Sequence, residues 1–340
     1  MLGPLVVDLQ GVALTPGERL RLRHPLIGQV ILFARNFESP QQLTELTGQI
    51  RALRDPPLRI CVDHEGGRVQ RFGTGFSEIP PMSQLGALWD RDVLAACRCA
   101  MSIGLIIASE LRGHGVDLTF APVLDLDWGR STVIGDRAFH SDPRVVTMLA
   151  ANLMHGLALA GMASCGKHFP GHGWTAEDSH HEVPVDRRPL TQILDQDAAP
   201  YGWLGVALDA VMPAHVIYPR VDRRPAGFSQ RWIGQVLRSD LRFAGAVFSD
   251  DLSMAGAGVA GDIVARAAAA LDAGCDFILI CNDPGAVDRA LAGLQWQRGP
   301  AFEQRLGQIA PRGAPASLAA WRTNPAYLAA LRDLDQVSRT

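Results

Sequence analysis

The sequence predicts an α/β protein in which short apolar strands alternate with amphipathic helices. Eight apolar runs of strand length end in polar turns, and segments with helical periodicity separate most of them, an order typical of βα units around a parallel sheet. No G-x-G-x-x-G follows the first run, which disfavours an open doubly wound sheet. The predicted fold is therefore a (β/α)8 TIM-like barrel with irregular early units. No linker-like stretch interrupts the chain, so residues 1–340 are predicted to form a single barrel domain.

The predicted strands share a short apolar run bounded by polar, Gly or Pro residues. They cover residues 5–9, 29–33, 58–63, 117–122, 163–168, 209–215, 245–251 and 275–281. Capping signals and helical periodicity predict the helices; Ser39 followed by Pro40, for example, is an N-cap followed by a proline in the first turn. The helices are expected at residues 40–54, 93–114, 143–160, 190–204, 229–239, 263–273 and 284–294. Residues 301–340 are predicted to be a helical C-terminal segment broken by Pro311 and Pro315.

Composition narrows the classes of function. The net charge of -3 lacks the basic character of a nucleic-acid-binding protein. No uninterrupted apolar run approaches the roughly 18 residues that span a bilayer, and Asp8 interrupts the N-terminal apolar stretch, so neither a membrane span nor a signal peptide is expected. Six cysteines without a C-x-x-C pair predict a reduced, cytoplasmic protein. Protein partners are not predicted by the sequence.

The chemistry is expected around residues 166–184, GKHFPGHGWTAEDSHHEVP. This stretch holds four of the ten histidines and the only lysine, Lys167, whereas the other 31 of the 32 basic residues are arginine. An ammonium is a compact point charge that a planar guanidinium does not imitate. A segment rich in Gly and Pro is a poor helix or strand and is typical of a functional loop.

Polar residues also follow the other predicted strands, where a barrel places its active site. They are Asp63, Asp125, Lys167, His168, His215, Asp250 and Asp251. At the mouth of a barrel the Asp250 carboxylate could be a glycosidase nucleophile, a metal ligand or an electrostatic anchor. Arginine forks suit sugar hydroxyls or a substrate carboxylate, and Arg68, Arg71 and Arg137 lie in loops at the same face.

The histidines of the loop allow two interpretations. His168 and His172 could suggest a metal pair, but the intervening Phe-Pro-Gly prevents helical i,i+4 display and no H-E-x-x-H is present, so no metal is expected. Asp178 and His180 are two residues apart and point to the same side of an extended loop. A carboxylate in that position can orient an imidazole and raise its pKa.

The motifs resemble glycoside hydrolase family 3, and closely its bacterial NagZ-type β-N-acetylhexosaminidases. The stretches that carry the resemblance are HPLIGQVILFARN, VDHEGGRVQRF, FAPVLDLD, GDRAFH, GKHFPGHG, DSHHEVP, MPAHVIYP, FSDDLSM and LDAGCDFILICN. Two small departures are His64, where Gln is common, and residues 181–183 after the Asp-His pair.

The resemblance implies a role for each matched residue. Asp250 would be the nucleophile of a retaining mechanism, His180 the acid/base and Asp178 its partner. The sugar would be bound by Asp63, Arg71, Arg137, Lys167 and His168. The family needs no metal or cofactor, and it acts on the N-acetylglucosaminyl–anhydromuramyl unit during cytoplasmic cell-wall recycling. The loop that carries Asp178 and His180 is expected to be mobile and to close on the sugar.

Three alternatives stay open. Phosphate could replace water as the acceptor, because a histidine repels an anion less than a glutamate would. The barrel could bind sugar without turnover, although the Asp250, His180 and Asp178 set argues against that. A metal-dependent barrel hydrolase is disfavoured by the ligand spacing.

Overall fold

The computed structural model describes residues 1–176 and 183–337. Its strands in chain order are β1 (Leu5–Val7), β2 (Ile27–Leu32), β3 (Arg59–Val62), β4 (His64–Gly66), β5 (Val69–Gln70), β6 (Leu118–Thr119), β7 (Cys165–Phe169), β8 (Ala210–Pro213), β9 (Ile217–Tyr218), β10 (Asp222–Pro225), β11 (Ala246–Val247) and β12 (Ile278–Ile280).

Within these described ranges, eight parallel strands close into a barrel in the order β1, β2, β3, β6, β7, β8, β11, β12. Two isolated bridges complete the ring: Val123 pairs with Lys167 between β6 and β7, and Phe248 pairs with Phe277 between β11 and β12. The predicted (β/α)8 barrel is confirmed. Two antiparallel hairpins, β4–β5 and β9–β10, extend from it and were not predicted.

Helices cover the outside of the barrel. They are α1 (Pro16–Arg21), α2 (Pro40–Arg51), α3 (Ser83–Trp89), α4 (Val93–Gly113), α5 (Pro143–Leu159), α6 (Leu190–Asp195), α7 (Ala199–Leu204), α8 (Ile263–Ala273), α9 (Pro284–Gly293), α10 (Pro300–Gln308), α11 (Leu318–Arg322) and α12 (Pro325–Val337). Arg231–Asp240 is a π-helix, and Ala34–Asn36, Gly135–Arg137, Ala226–Phe228 and Ala255–Ala260 are 3-10 turns.

Local capping explains most of the helix boundaries. The Ser39 hydroxyl accepts from the Gln42 amide at 3.2 Å, which begins α2 as expected. Asp262 caps α8, and Gly274 ends it in the left-handed region at φ 113°. The helical region predicted over residues 190–204 is divided into α6 and α7. Pro200 lacks the N–H that would continue the helical ladder across the break.

Helix α4 is the longest element and is mostly buried. The helix has 21 residues and its most apolar window has a mean hydropathy of 1.6, so by length and composition it could cross a membrane, although its sequence contains no uninterrupted apolar run of that length. Within the structure 72% of its most apolar window is buried, which is typical of a core helix. Helix α12 packs on its outer side, where the Ser102 hydroxyl donates to Asp333 at 2.7 Å and Tyr327 donates to Glu110 at 2.7 Å.

The apolar core fills the barrel and the layer between barrel and helices. Phe248 packs against Phe120 and Phe277, with ring centroids 5.1 and 4.7 Å apart, and all three are fully buried. A second aromatic cluster lies beside β4, where the His64 ring is 5.7 Å from Phe72 and 5.8 Å from Phe76. His64 is 1% exposed, and burial lowers the pKa of its imidazole to about 3.

The buried His64 predicts a loss of stability in acid. Because its folded-state pKa lies below the unfolded value, the unfolded chain gains a proton as the pH falls below about 6.5, and the stability lost between pH 7 and 5 is about 2 kcal/mol from this residue. His64→Gln should remove that share of the pH dependence. The measurement is the free energy of unfolding in urea at both pH values.

The exposed His155 provides the matched control for this comparison. His155→Gln should keep the pH dependence of the wild type. An unchanged pH dependence in His64→Gln would show that the His64 imidazole can be protonated in the folded protein.

Candidate active site

A cavity of about 420 Å³ opens at the carboxyl ends of the barrel strands. The predicted site residues that line it are Asp63, Arg68, Arg71, Arg137, Lys167, His168, Asp250 and Asp251. Its apolar wall comes from Ile31, Phe33, Val69, Val133, Met212, Met254 and Leu279. The strand-end positions therefore converge, as the barrel prediction requires.

Lys167 lies at the centre of the charged part of the cavity. Its Nζ is 2.7 Å from Asp63 Oδ1 and 2.5 Å from Glu65 Oε1, and its side chain is 3% exposed. Burial opposes the charged ammonium, but the two carboxylates outweigh this effect, so the pKa of Lys167 is raised above its usual value. The lysine is thus a buried cation paired with two carboxylates in the cavity wall.

Glu65, which was not predicted as a site residue, joins this cation to a second one. Arg137 donates to both Glu65 oxygens at 2.8 Å, which is a bidentate pair. Burial would raise the pKa of Glu65, but Arg137 and Lys167 outweigh it and hold that pKa well below its usual range. Arg71 lies 3.8 Å from Asp63, so the charges alternate in sign across the cavity wall.

Arg68 lines the cavity as predicted and also forms hydrogen bonds to a neighbouring loop. Its guanidinium donates to the Val133 carbonyl at 2.6 Å and to the Thr132 carbonyl at 3.0 Å, and its Nε is 3.1 Å from Asp136. These bonds fix the loop that carries Thr132 and Val133 into the cavity wall. Arg68 therefore shapes the cavity through this loop.

Asp125 binds the start of the loop that carries His168 and His172. Fully buried, it accepts from His168 Nδ1 at 2.7 Å and from the His172 amide at 2.7 Å. Burial would raise the pKa of Asp125, but the two histidines lower it on balance. Because a carboxylate fixes Nδ1, the orientation of the His168 imidazole in the cavity wall is set. The Lys167–His168 peptide bond is cis.

Asp250 lines the cavity, and its neighbours hold it in place. The Asp251 amide donates to Asp250 Oδ1 at 2.8 Å. The Asp251 carboxyl accepts from the Ser253 hydroxyl at 2.6 Å and from the Cys281 amide at 3.0 Å, and burial raises its pKa to about 6. His215 does not line the cavity but lies against this turn, where its Nε2–H donates to the Asp251 carbonyl at 3.0 Å.

The predicted acid/base pair, Asp178 and His180, lies outside the described residues. The structure follows the chain as far as Ala176, four residues after His172, which lines the cavity. Among residues 1–176 and 183–337, no group of three or more His, Cys, Asp or Glu side chains is placed to hold a metal ion.

Comparison with known proteins decides the family. Residues 7–303 match the Glycosyl hydrolase family 3 N terminal domain. The chain belongs to glycosyl hydrolase family 3. A curated relative from Bordetella parapertussis named Beta-hexosaminidase is 58% identical over 314 residues, which cover 92% of this chain and 89% of the relative. The predicted β-N-acetylhexosaminidase class is confirmed.

Solved structures agree with this assignment. NagZ from Neisseria gonorrhoeae, in complex with N-trifluoroacetyl-D-glucosamine, superposes with a TM-score of 0.93 at 45% identity and covers 99% of this chain and 98% of its own. A family 3 β-N-acetylglucosaminidase from Paenibacillus gives a TM-score of 0.85 at 27% identity over 98% of this chain and 67% of its own. The chain is therefore of the NagZ type within family 3.

Lys167 should be required for sugar binding because it is the cation shared by the Asp63 and Glu65 carboxylates in the cavity. Lys167→Ala should lower the affinity for N-acetylglucosamine and kcat/KM by about tenfold or more, which corresponds to about 1.4 kcal/mol. Titration calorimetry and steady-state kinetics measure the two effects.

Lys167→Arg provides the matched comparison, since it keeps the charge without the compact ammonium. It should recover little of the lost affinity. Full recovery in that variant would show that charge alone, and not its geometry, is what the site needs.

Proposed function

We propose that the chain is a retaining β-N-acetylglucosaminidase that acts in cytoplasmic cell-wall recycling. Its substrates would be peptidoglycan fragments, GlcNAc-1,6-anhydroMurNAc and its peptides, from which it removes the terminal N-acetylglucosamine. The observation that carries the proposal is the Asp250 carboxylate, held by the Asp251 amide in one cavity with Lys167 and its carboxylate partners. The gonococcal relative that binds N-trifluoroacetyl-D-glucosamine supports a sugar of this kind.

In the first step Asp250 attacks the anomeric carbon and forms a glycosyl-enzyme, while the bond to the leaving oxygen breaks. His180 gives its proton to that oxygen. The hydrogen bond from the Asp251 amide fixes one Asp250 oxygen and so restricts the orientation of the carboxylate that faces the cavity. With its pKa near 6, Asp251 is protonated in an appreciable fraction of molecules near neutral pH, which lessens the negative charge beside the nucleophile.

In the second step His180 takes a proton from water, and the resulting hydroxide displaces Asp250 from the anomeric carbon. One group thus serves as acid and then as base. An imidazole suits both roles near neutral pH, because its reference pKa is about 6.5. The Asp178 carboxylate would favour the protonated imidazole and so increase the supply of acid.

The charged wall of the cavity suits a neutral, hydroxyl-rich ligand. Lys167 and Arg137 offer donors, and Asp63 offers acceptors, to groups that a sugar ring presents on neighbouring carbons. Val69 and Val133 add apolar surface in the same cavity, where the methyl group of an N-acetyl substituent could be accommodated. Both features are needed for an N-acetylated sugar, since hydroxyls and a methyl require opposite surroundings.

The nucleophile can be identified by trapping the intermediate. A 5-fluoro N-acetylglucosaminyl fluoride should inactivate the enzyme and label the peptide that contains Asp250. Asp250→Ala should lose about 10³-fold or more in kcat while it keeps its fold and sugar affinity. Mass spectrometry locates the label, and an aryl N-acetylglucosaminide measures turnover.

Asp251→Ala is the neighbouring control and should be milder, because Asp251 only positions Asp250. Labelling of Asp251 would transfer the nucleophilic role to it. The same assay with added phosphate separates two reactions: N-acetylglucosamine as the product supports hydrolysis, and its 1-phosphate would support phosphorolysis instead. Binding without any turnover would overturn the assignment as an enzyme.

The acid/base pair can be tested through the leaving group. His180→Ala should reduce turnover of glycosides with poor leaving groups by about 10²-fold or more, whereas activated aryl glycosides, which depart without a proton, should be affected less in glycosylation. Asp178→Ala should change turnover in the same direction and shift the pH profile. Since the two residues act as a unit, the double variant should cost little more than His180→Ala alone.

The outcome that contradicts this assignment is a loss that does not depend on the leaving group, together with unimpaired hydrolysis of the glycosyl-enzyme. His172 or His168 would then become the candidate acid/base.

A further inference from the structure

One part of the cavity wall is mostly apolar and carries one neutral carboxamide. In the order of the barrel, β12, β1 and β2 lie between β11, which precedes Asp250, and β3, which precedes Asp63. The residues that β2, β12 and the positions directly after them contribute to the cavity are Ile31, Phe33, Leu279, Cys281 and Asn282. Of these five side chains, Asn282 alone offers both a strong hydrogen-bond donor and a strong acceptor.

The backbone of Asn282 is held in a conformation that side chains seldom adopt. Its φ is 62°, in the left-handed region, which asparagine tolerates better than most other non-glycine residues. The Asp8 carboxylate, directly after β1, accepts from the Asn282 amide at 2.9 Å and also pairs with Arg35. The Arg35 guanidinium carbon lies 4.6 Å from the ring centroid of Phe33. Contacts from the ends of β1 and β2 thus fix the backbone from which the Asn282 side chain enters the cavity wall.

The Asn282 carboxamide is free to bind a ligand. It is exposed in the cavity, and within residues 1–176 and 183–337 it has no hydrogen-bond partner, since the one bond of this residue comes from its backbone amide. A carboxamide donates and accepts, as a hydroxyl does, so the two groups can form a hydrogen bond in either direction. A sugar carries hydroxyls around its whole ring, and one that faces this part of the wall has Asn282 as its neutral polar partner.

We propose that Asn282 is a specificity-determining residue that binds one hydroxyl of the N-acetylglucosamine unit. The inference rests on the proposed function, from which it takes the identity of the sugar. A polar group that is paired with a substrate hydroxyl disfavours an analogue that lacks this hydroxyl, because the protein group then loses its partner. Asn282 would therefore recognise the sugar from the side of the cavity opposite to the ion network of Lys167.

Two substitutions at Asn282 separate the carboxamide from the backbone conformation. Asn282→Gly removes the side chain, and glycine adopts a φ of 62° without strain. Asn282→Ala removes the same carboxamide but retains a Cβ, which makes the left-handed conformation costly. Arg242, the other non-glycine residue with a positive φ in the described chain, lies outside the cavity and provides the control Arg242→Gly. Titration calorimetry with N-acetylglucosamine, kinetics on an aryl N-acetylglucosaminide and melting temperatures are measured for the whole protein.

Both Asn282 variants should weaken the binding of N-acetylglucosamine about fivefold and lower kcat/KM by a similar factor, the loss expected for one neutral hydrogen bond. Asn282→Ala should have the lower melting temperature of the two. Arg242→Gly should change neither the affinity nor kcat/KM. An unchanged affinity in Asn282→Gly, with or without a loss in Asn282→Ala, would overturn the inference, because asparagine would then be needed only for the backbone conformation.

Aryl N-acetylglucosaminides that lack the 3-, 4- or 6-hydroxyl identify the group that Asn282 binds. With one of these three substrates the wild type and Asn282→Gly should have equal kcat/KM, because the hydrogen bond is then absent from both. A difference of about fivefold that persists with all three substrates would contradict binding to a hydroxyl. A wild-type protein that neither binds N-acetylglucosamine nor hydrolyses the parent glycoside would instead overturn the proposed function, so the two failures are distinguishable.

Discussion

The buried cation of Lys167 between Asp63 and Glu65 is the interaction on which the site depends. Charges are buried at an acceptable cost only when each one is paired, and here the pairs link β7, the turn after β3 and, through Arg137, the loop after β6. Closing the barrel brings these three segments together. Conversely, the ion network fixes their relative positions at the mouth of the cavity, where a sugar would need donors and acceptors in a set geometry.

Local signals explain why so much of the fold could be predicted. Helix α8 begins and ends where expected because residues next to it in the sequence cap it, Asp262 at its start and Gly274 at its end. The break between α6 and α7 was not predicted, although Pro200 lies in the first turn of α7. In the connection between the two helices, Asp197 accepts from Arg188 and from Trp128, and Trp128 is 69 residues away, so the local sequence pattern does not identify this pair. The short hairpins likewise lack an apolar alternation that could reveal them.

The site residues likewise include some that the sequence identified and others that it did not. Asp63, Lys167 and Asp250 were found because each follows an apolar run, and the ends of parallel strands meet in a barrel. Glu65 was missed, since nothing within the turn DHEGGR distinguishes a carboxylate that pairs with Lys167 from one that faces solvent. His215 was expected at the cavity, yet its ring stacks on Phe228 and supports the turn after Asp250. The roles of Asp178 and His180 still rest on the family resemblance.

A single lysine, whose side chain is 3% exposed, gives the protein an uncommon chemical profile. Reagents that acylate or cross-link primary amines find no lysine ammonium on its surface, and trypsin finds arginine at nearly all of its cleavage sites. An amine-directed reagent must enter the cavity and compete with two carboxylates before it can react with Lys167. Acylation at this residue would therefore report whether the cavity is occupied, and a dye attached through surface lysines is not an option for this enzyme.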